Sequence, residues 1–194
     1  MHEHGEILDF VRKHLSNSER GAHTFDHIKR VYAISMQIGE GLPISTRVIQ
    51  AAALLHDVGR PKEDESGISH SILSGEMSKP LLQKLGYTET EIEKILDAIR
   101  THRFSEGIEP NSPEGRILSD ADKLDAMGAI GVYRAVAQAE SKGRGIVGFL
   151  QHADEKLLKL KDLMYTTKGK EIARERHEEL QRFVEELRNE ITEM

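Results

Sequence analysis

The stretch AAALLHDVGR, residues 51–60, decides how this chain folds and where its chemistry lies. Three alanines and two leucines in a row are apolar all round and small enough for close packing, which reads as the most buried helix of the protein. The helix opens after Pro43 with Ser45 as its cap and runs through Val48, Ile49, Ala52, Ala53 and Leu55. It must stop at Gly59-Arg60-Pro61, because proline lacks the amide donor and clashes with the preceding turn. His56 and Asp57 therefore stand at the end of a buried helix, beside an apolar wall. An unpaired buried carboxylate costs several kcal/mol, so Asp57 is expected to be ionically compensated or metal-bound. Imidazole nitrogen with carboxylate oxygen suits Mn, Fe, Co, Ni or Zn better than Ca. By itself, however, His-Asp is a common dipeptide.

Helical spacing continues on both sides. Ile7, Leu8, Val11 and Leu15 mark a first helix, and Phe25, Ile28, Val31, Tyr32 and Ile38 a second. Further helices are predicted over 69–85 and 88–101, the latter opening on a capping-box-like Thr88-Glu89-Thr90-Glu91. Another starts at Pro113 and either continues or breaks near Asp125 before the segment 127–140. The last two are expected at 150–164 and 168–191. No stretch alternates with period two and no internal repeat is visible, so the expected class is all-α. The C-terminal helix carries Leu180, Val184, Leu187 and Ile191 on one stripe. We divide the chain into a helical domain, residues 1–165, and a C-terminal helix, 166–194, packed on that domain or at a homodimer contact.

Hydrophobic content of 38% beside 31% charge describes a soluble globular chain. No apolar run approaches the roughly 20 residues that span a bilayer, and the N-terminus shows no secretory signal. Zero cysteines exclude thiolate ligands, disulfides and a cysteine nucleophile. A cytoplasmic location without membrane contact is expected. The formal net charge of −6 lacks the concentrated basic face that nucleic acid requires. An anionic small molecule can still bind where a metal supplies local positive charge.

Three more segments place His and Asp in helical settings: HTFDHIKRV at 23–31, IRTHRF at 99–104 and SDADKLD at 119–125. His27, His56, Asp57 and Asp122 together offer two imidazoles and two carboxylates to one ion, provided a fold converges several helices. In this order, H…HD…D, the chain resembles the HD-domain superfamily of metal-dependent phosphohydrolases. HTFDHIKRV is similar to that family's first-histidine helix and AAALLHDVGR to its HD helix. RFSEGIEPNSPEGRILSDADKLDAMGAIGVYR is similar to the small single-domain HD hydrolases, and the likeness runs from about residue 20 to 140. It implies an HD-domain-like helical bundle with His27, His56, Asp57 and Asp122 as metal ligands. The cofactor implied is a divalent transition metal (Mg also being compatible), as one ion or two.

Binuclear HD-domain enzymes carry extra histidines between the HD pair and the last aspartate. His70 and His102 lie in that interval and are candidates for a second metal or a phosphate contact. His23 shares a helical face with His27 and could line the cleft. Arg30, Arg60, Lys62, Arg103 and Lys123 adjoin the ligand segments, with Arg30 and Lys123 the better candidates for contacting phosphate oxygens. Glu63, Asp64 and Glu65 form an acidic turn that could hold a proton-transfer residue. The expected reaction is water-driven cleavage of a phosphate ester or anhydride, with Asp57 orienting the water. The substrate implied is a nucleotide or related small phosphorylated compound.

Other readings have weaker support. GRGIVG at 143–148 matches a dinucleotide fingerprint but follows no strand, and reads as a flexible loop. Asp120-x-Asp122 fails as a calcium loop because Gly131 stands where glutamate is needed. An HD-GYP-type cyclic-nucleotide phosphodiesterase lacks its signature, since RFSEGIEPN follows His102. A non-catalytic metal-binding regulatory module is disfavoured by the retention of all four candidate ligands.

Overall fold

The computed structural model describes residues 2–15 and 25–192. Among them every regular element is helical. The chain divides into two compact units, Met1–Asp122 and Lys123–Met194. No helix among the described residues is long and apolar enough to cross a membrane.

The first unit holds α1 (His2–Leu15), α2 (Phe25–Gly39), α3 (Thr46–Leu55), α4 (Arg60–Ser66), α5 (His70–Lys84) and α6 (Glu89–Thr101). A 3-10 turn, Phe104–Glu106, follows, and α7 (Pro113–Asp125) begins here and runs across the boundary. At the centre is α3, packed by α1, α2, α5 and α6. Ala51, Ala52 and Ala53 are all fully buried, which is what small side chains on every face permit. Ser45 caps the helix by accepting from the Val48 amide at 3.4 Å. The Thr88–Glu91 capping box at the start of α6 is also formed as its sequence predicts.

Two details differ from the sequence reading here. The chain does stop α3 at Leu55, but Pro61 then sits in the first turn of α4. The ring that cannot continue one helix is pre-set for the start of the next, where no amide donor is needed. Glu63 and Glu65 are accordingly helical residues of α4 and not part of an open turn.

The second unit holds α8 (Gly128–Ser141), α9 (Gly145–Glu155), a 3-10 segment (Leu157–Leu163) and α10 (Thr167–Thr192). Here α10 packs on α8 and the 3-10 segment, and α9 packs on the same two. Arg134 donates to the Asp125 carbonyl at 3.0 Å and to its carboxylate at 2.5 Å, compensating a fully buried charge. Arg176 of α10 donates to the Leu124 carbonyl at 2.6 Å, satisfying the end of α7.

Three boundaries change. The expected loop at 143–148 is helical from Gly145, because Phe149 is buried against Phe183 and draws Ile146 and Val147 into the same helix. The helix expected over 150–164 breaks at Lys156 into the 3-10 segment. On α10, Leu180 and Val184 are buried but Ile191 is 37% exposed. The buried stripe extends the other way, through His177, Ala173 and Gly169.

Candidate functional site

The site grows out of helix ends. His27 lies on α2, His56 and Asp57 in the turn after α3, His70 at the start of α5, and His102 just past α6. All five are at most 1% exposed. Asp122 sits on α7 with its side chain 29% exposed.

Asp57 is the centre of the cluster. Its Oδ2 lies 3.7 Å from His27 Nε2 and 4.0 Å from His56 Nε2, and those two nitrogens are 3.3 Å apart. Asp122 Oδ1 joins this side at 3.4 Å from His27 Nε2. The other oxygen, Asp57 Oδ1, lies 3.0 Å from His70 Nε2 and 3.7 Å from His102 Nε2. His70 Nε2 and His102 Nε2 are 3.4 Å apart. His27, His56 and Asp57 thus form one group with metal-ligand spacing, and Asp57, His70 and His102 a second.

Protonation follows from the outer nitrogens. His56 Nδ1 has the Ala53 carbonyl as acceptor at 2.8 Å, and His102 Nδ1 the Ile99 carbonyl at 2.6 Å. His70 Nδ1 has the Glu63 carboxylate at 3.0 Å. An imidazole that donates from Nδ1 presents its Nε2 lone pair, and those of His56 and His102 point into the cluster, while His70 stands between the Glu63 carboxylate and Asp57 Oδ1, each at 3.0 Å. Burial pushes the His56 pKa down to about 3 against the opposing charge of Asp57, so the ring is neutral. Burial raises the Asp122 carboxyl, but its hydrogen bond to His27 and the neighbouring histidines outweigh this and hold it well below the usual range. Imidazole nitrogens and carboxylate oxygens aimed at common points fit a borderline divalent cation.

The turn carrying the pair is held tightly. The Gly59 amide donates to the buried Ser74 hydroxyl at 2.9 Å. A Cβ on Gly59 would lie 2.6 Å from both Leu73 Cβ and the Ser74 amide, so only glycine lets α5 approach the turn this closely.

The cations named from sequence are in varied settings. Arg60 Nε lies 3.5 Å from Asp57 Oδ2, and its guanidinium also reaches Glu63 at 3.3 Å. Arg103 is bound to Glu63 and Lys62 is exposed. Arg30 is half-buried one helical turn beyond His27, and its charge helps lower the Asp26 carboxyl after that of Lys29. Lys123 is 3% exposed, with its ammonium 4.7 Å from the centre of the Tyr165 ring. His23 lies outside the described residues.

Sequence reasoning missed the polar frame around His70. Ser71 Oγ donates to Glu106 at 3.0 and 3.1 Å, while Ser69 and Arg100 make shorter contacts to the same carboxylate. Burial raises the Glu106 carboxyl, but these donors bring its pKa down to about 2. The flanking serines of Ser69-His70-Ser71 were the available signal. Their partner 35 residues on was not visible in the chain.

Residues 24–127 match the HD domain family model. The Bacillus subtilis protein YpgQ is 33% identical over 195 residues, covering 96% of this chain and 92% of its own. Its crystal structure in complex with ADP aligns at 29% identity with a TM-score of 0.78, covering 97% of each chain. An HD superfamily hydrolase from an uncultured Thermotogales bacterium aligns at 28% identity and TM-score 0.73, over 95% of this chain and 91% of that one. The convergence of a His-Asp pair with histidines from neighbouring helices is thus built on a fold shared with hydrolases, and the chain belongs to the HD domain family.

Proposed function

We propose that the protein is a metal-dependent phosphohydrolase that cleaves a phosphate ester or anhydride of a nucleotide or related small compound. The observation that carries this reading is the pair of buried Nε2 atoms of His27 and His56, 3.3 Å apart, with Asp57 and Asp122 oxygens beside them. These four residues would hold a divalent ion of the Mn, Fe, Co, Ni, Zn or Mg type. When bound, such an ion polarises a phosphoryl oxygen and lowers the pKa of water at neutral pH. The ADP complex of YpgQ supports a phosphorylated nucleotide as the class of ligand.

The chain's own groups supply the rest. The Nδ1 hydrogen bond of His56 to the Ala53 carbonyl keeps its Nε2 turned inward and unprotonated. Asp57 is shared by both histidine pairs, and it orients the attacking water. Arg30 contacts phosphate oxygens, with Arg60 beside Asp57 as a further fixed cation. A second ion is favoured by Asp57, His70 and His102, whose spacing suits a ligand trio of its own.

A phosphatase panel with added Mn, Co, Ni or Mg tests the reading. Wild type should turn over at least one phosphorylated compound, and Asp57→Ala should lose activity by about a hundredfold or more. A folded wild type inactive on every compound with every metal would overturn it. Metal analysis is separate: His56→Ala should lose bound metal, and equal content in both proteins would remove the ligand set. Two ions per chain falling to one in His102→Ala would mark the binuclear form.

A further inference from the structure

Three successive residues at the start of α5 are each held by a carboxylate. Ser69 and Ser71 donate their hydroxyls to Glu106. Glu63 accepts from the backbone amide of His70 at 3.3 Å, and its other oxygen lies 3.0 Å from His70 Nδ1. Glu63 comes from α4 and also binds Arg103, which follows α6. One carboxylate therefore ties three segments around a single imidazole.

Among the described residues, the polar neighbours of His70 Nδ1 are Glu63 and Arg103. The Glu63 oxygen at 3.0 Å can only accept when ionised, and the Arg103 nitrogen at 3.4 Å can only donate. The same Arg103 nitrogen donates to the second Glu63 oxygen, and of the two neighbours the carboxylate is the nearer to Nδ1. A proton on Nδ1 directed at Glu63 turns Nε2 toward Asp57 Oδ1 at 3.0 Å and His102 Nε2 at 3.4 Å.

We propose that Glu63 is a positioning residue: its carboxylate keeps the proton of His70 on Nδ1 and aims Nε2 at Asp57 and His102, preparing that trio for a divalent cation. The cation half rests on the metal reading above. A carboxylate behind a ligating imidazole fixes ring orientation and raises ligand basicity, and its loss weakens metal binding by about tenfold to a hundredfold. Glu106 has a different task, holding the flanking serines without touching the ring.

The test uses metal-free full-length protein with ¹⁵N-labelled histidine, in which long-range spectra report whether Nδ1 of His70 carries a proton. Wild type should show a protonated Nδ1, and a bare Nδ1 would overturn the proposal without any variant. In Glu63→Ala, checked as folded by circular dichroism, the proton should redistribute toward Nε2, and Mn titration should weaken by about tenfold to a hundredfold. Glu63→Gln retains an acceptor oxygen and should keep the proton on Nδ1. Glu106→Ala should also keep it there. An unchanged tautomer in folded Glu63→Ala, or an equal shift in Glu106→Ala, would overturn Glu63's role. Failure of wild type to bind Mn would overturn the cation half and the metal reading together, while the metal-free spectra decide the positioning half.

Discussion

Gly59 shows how little freedom the His-Asp turn has. A methyl there would press on Leu73 and the Ser74 backbone at 2.6 Å. Gly59→Ala should therefore cost about 2 kcal/mol or more, because packed backbone cannot yield without shifting α5. Chemical denaturation should show a lower midpoint with little change in slope. Glu106 offers a test at acid pH. Its carboxyl titrates near 4.5 when unfolded and near 2 when folded. Between those values the unfolded chain binds more protons, so this contribution is complete above about pH 4.5 and is lost as pH falls toward 2. Wild type should lose on the order of 2 kcal/mol more stability than Glu106→Gln between pH 6 and pH 2.5, after allowance for partial solvent screening. Equal losses in unfolding titrations at the two pH values would show that Glu106 carries no such linkage.

At the scale of elements, α3 carries the first unit because helices pack on it from several sides. Ile49 is 1% exposed and Leu55 fully buried. Ile49→Ala should cost about 2–5 kcal/mol, through lost burial and the cavity left between packed helices. Thr88→Ala, which removes only the capping box of α6, should cost about 1 kcal/mol. A thermal-denaturation ranking with Thr88→Ala as the more damaging change would contradict the central place of α3. These elements were legible in the chain: alanine-leucine runs, Ser45 and the Thr88 box act over one or two turns. The helical start at Gly145 was not, because glycines read locally as loop, whereas burial of Phe149 against a distant helix outweighs that propensity.

At the scale of the molecule, each unit has its own buried set. In the second, Leu180 is fully buried and Val184 is 1% exposed, on a helix that packs against α8 and the 3-10 segment. Leu180→Ala should lower amide-exchange protection along 167–192 and 128–141. Unchanged protection in both segments would mean that α10 contributes little to this unit. The candidate metal cluster is a different kind of feature. His27 and His56 stand 29 positions apart and His70 and His102 32 apart, yet each pair meets within 3.4 Å. No local pattern sets such a meeting, and only the packing of α2, α3, α5 and α6 brings it about.

The chain alone therefore determined the helical class, the buried helix ending in His56-Asp57 and the residue types available as ligands. These depend on periodicity, on helix stop signals and on donor chemistry, all of which act within a few residues. Tertiary structure decided that Asp57 divides its two oxygens between two histidine pairs. It also decided that Glu63 stands behind His70, and that Arg60 lies beside Asp57 while Lys123 is buried with its ammonium over a tyrosine ring. Contacts of that kind depend on distance in space, which is set by how helix ends come together and not by any spacing written along the sequence.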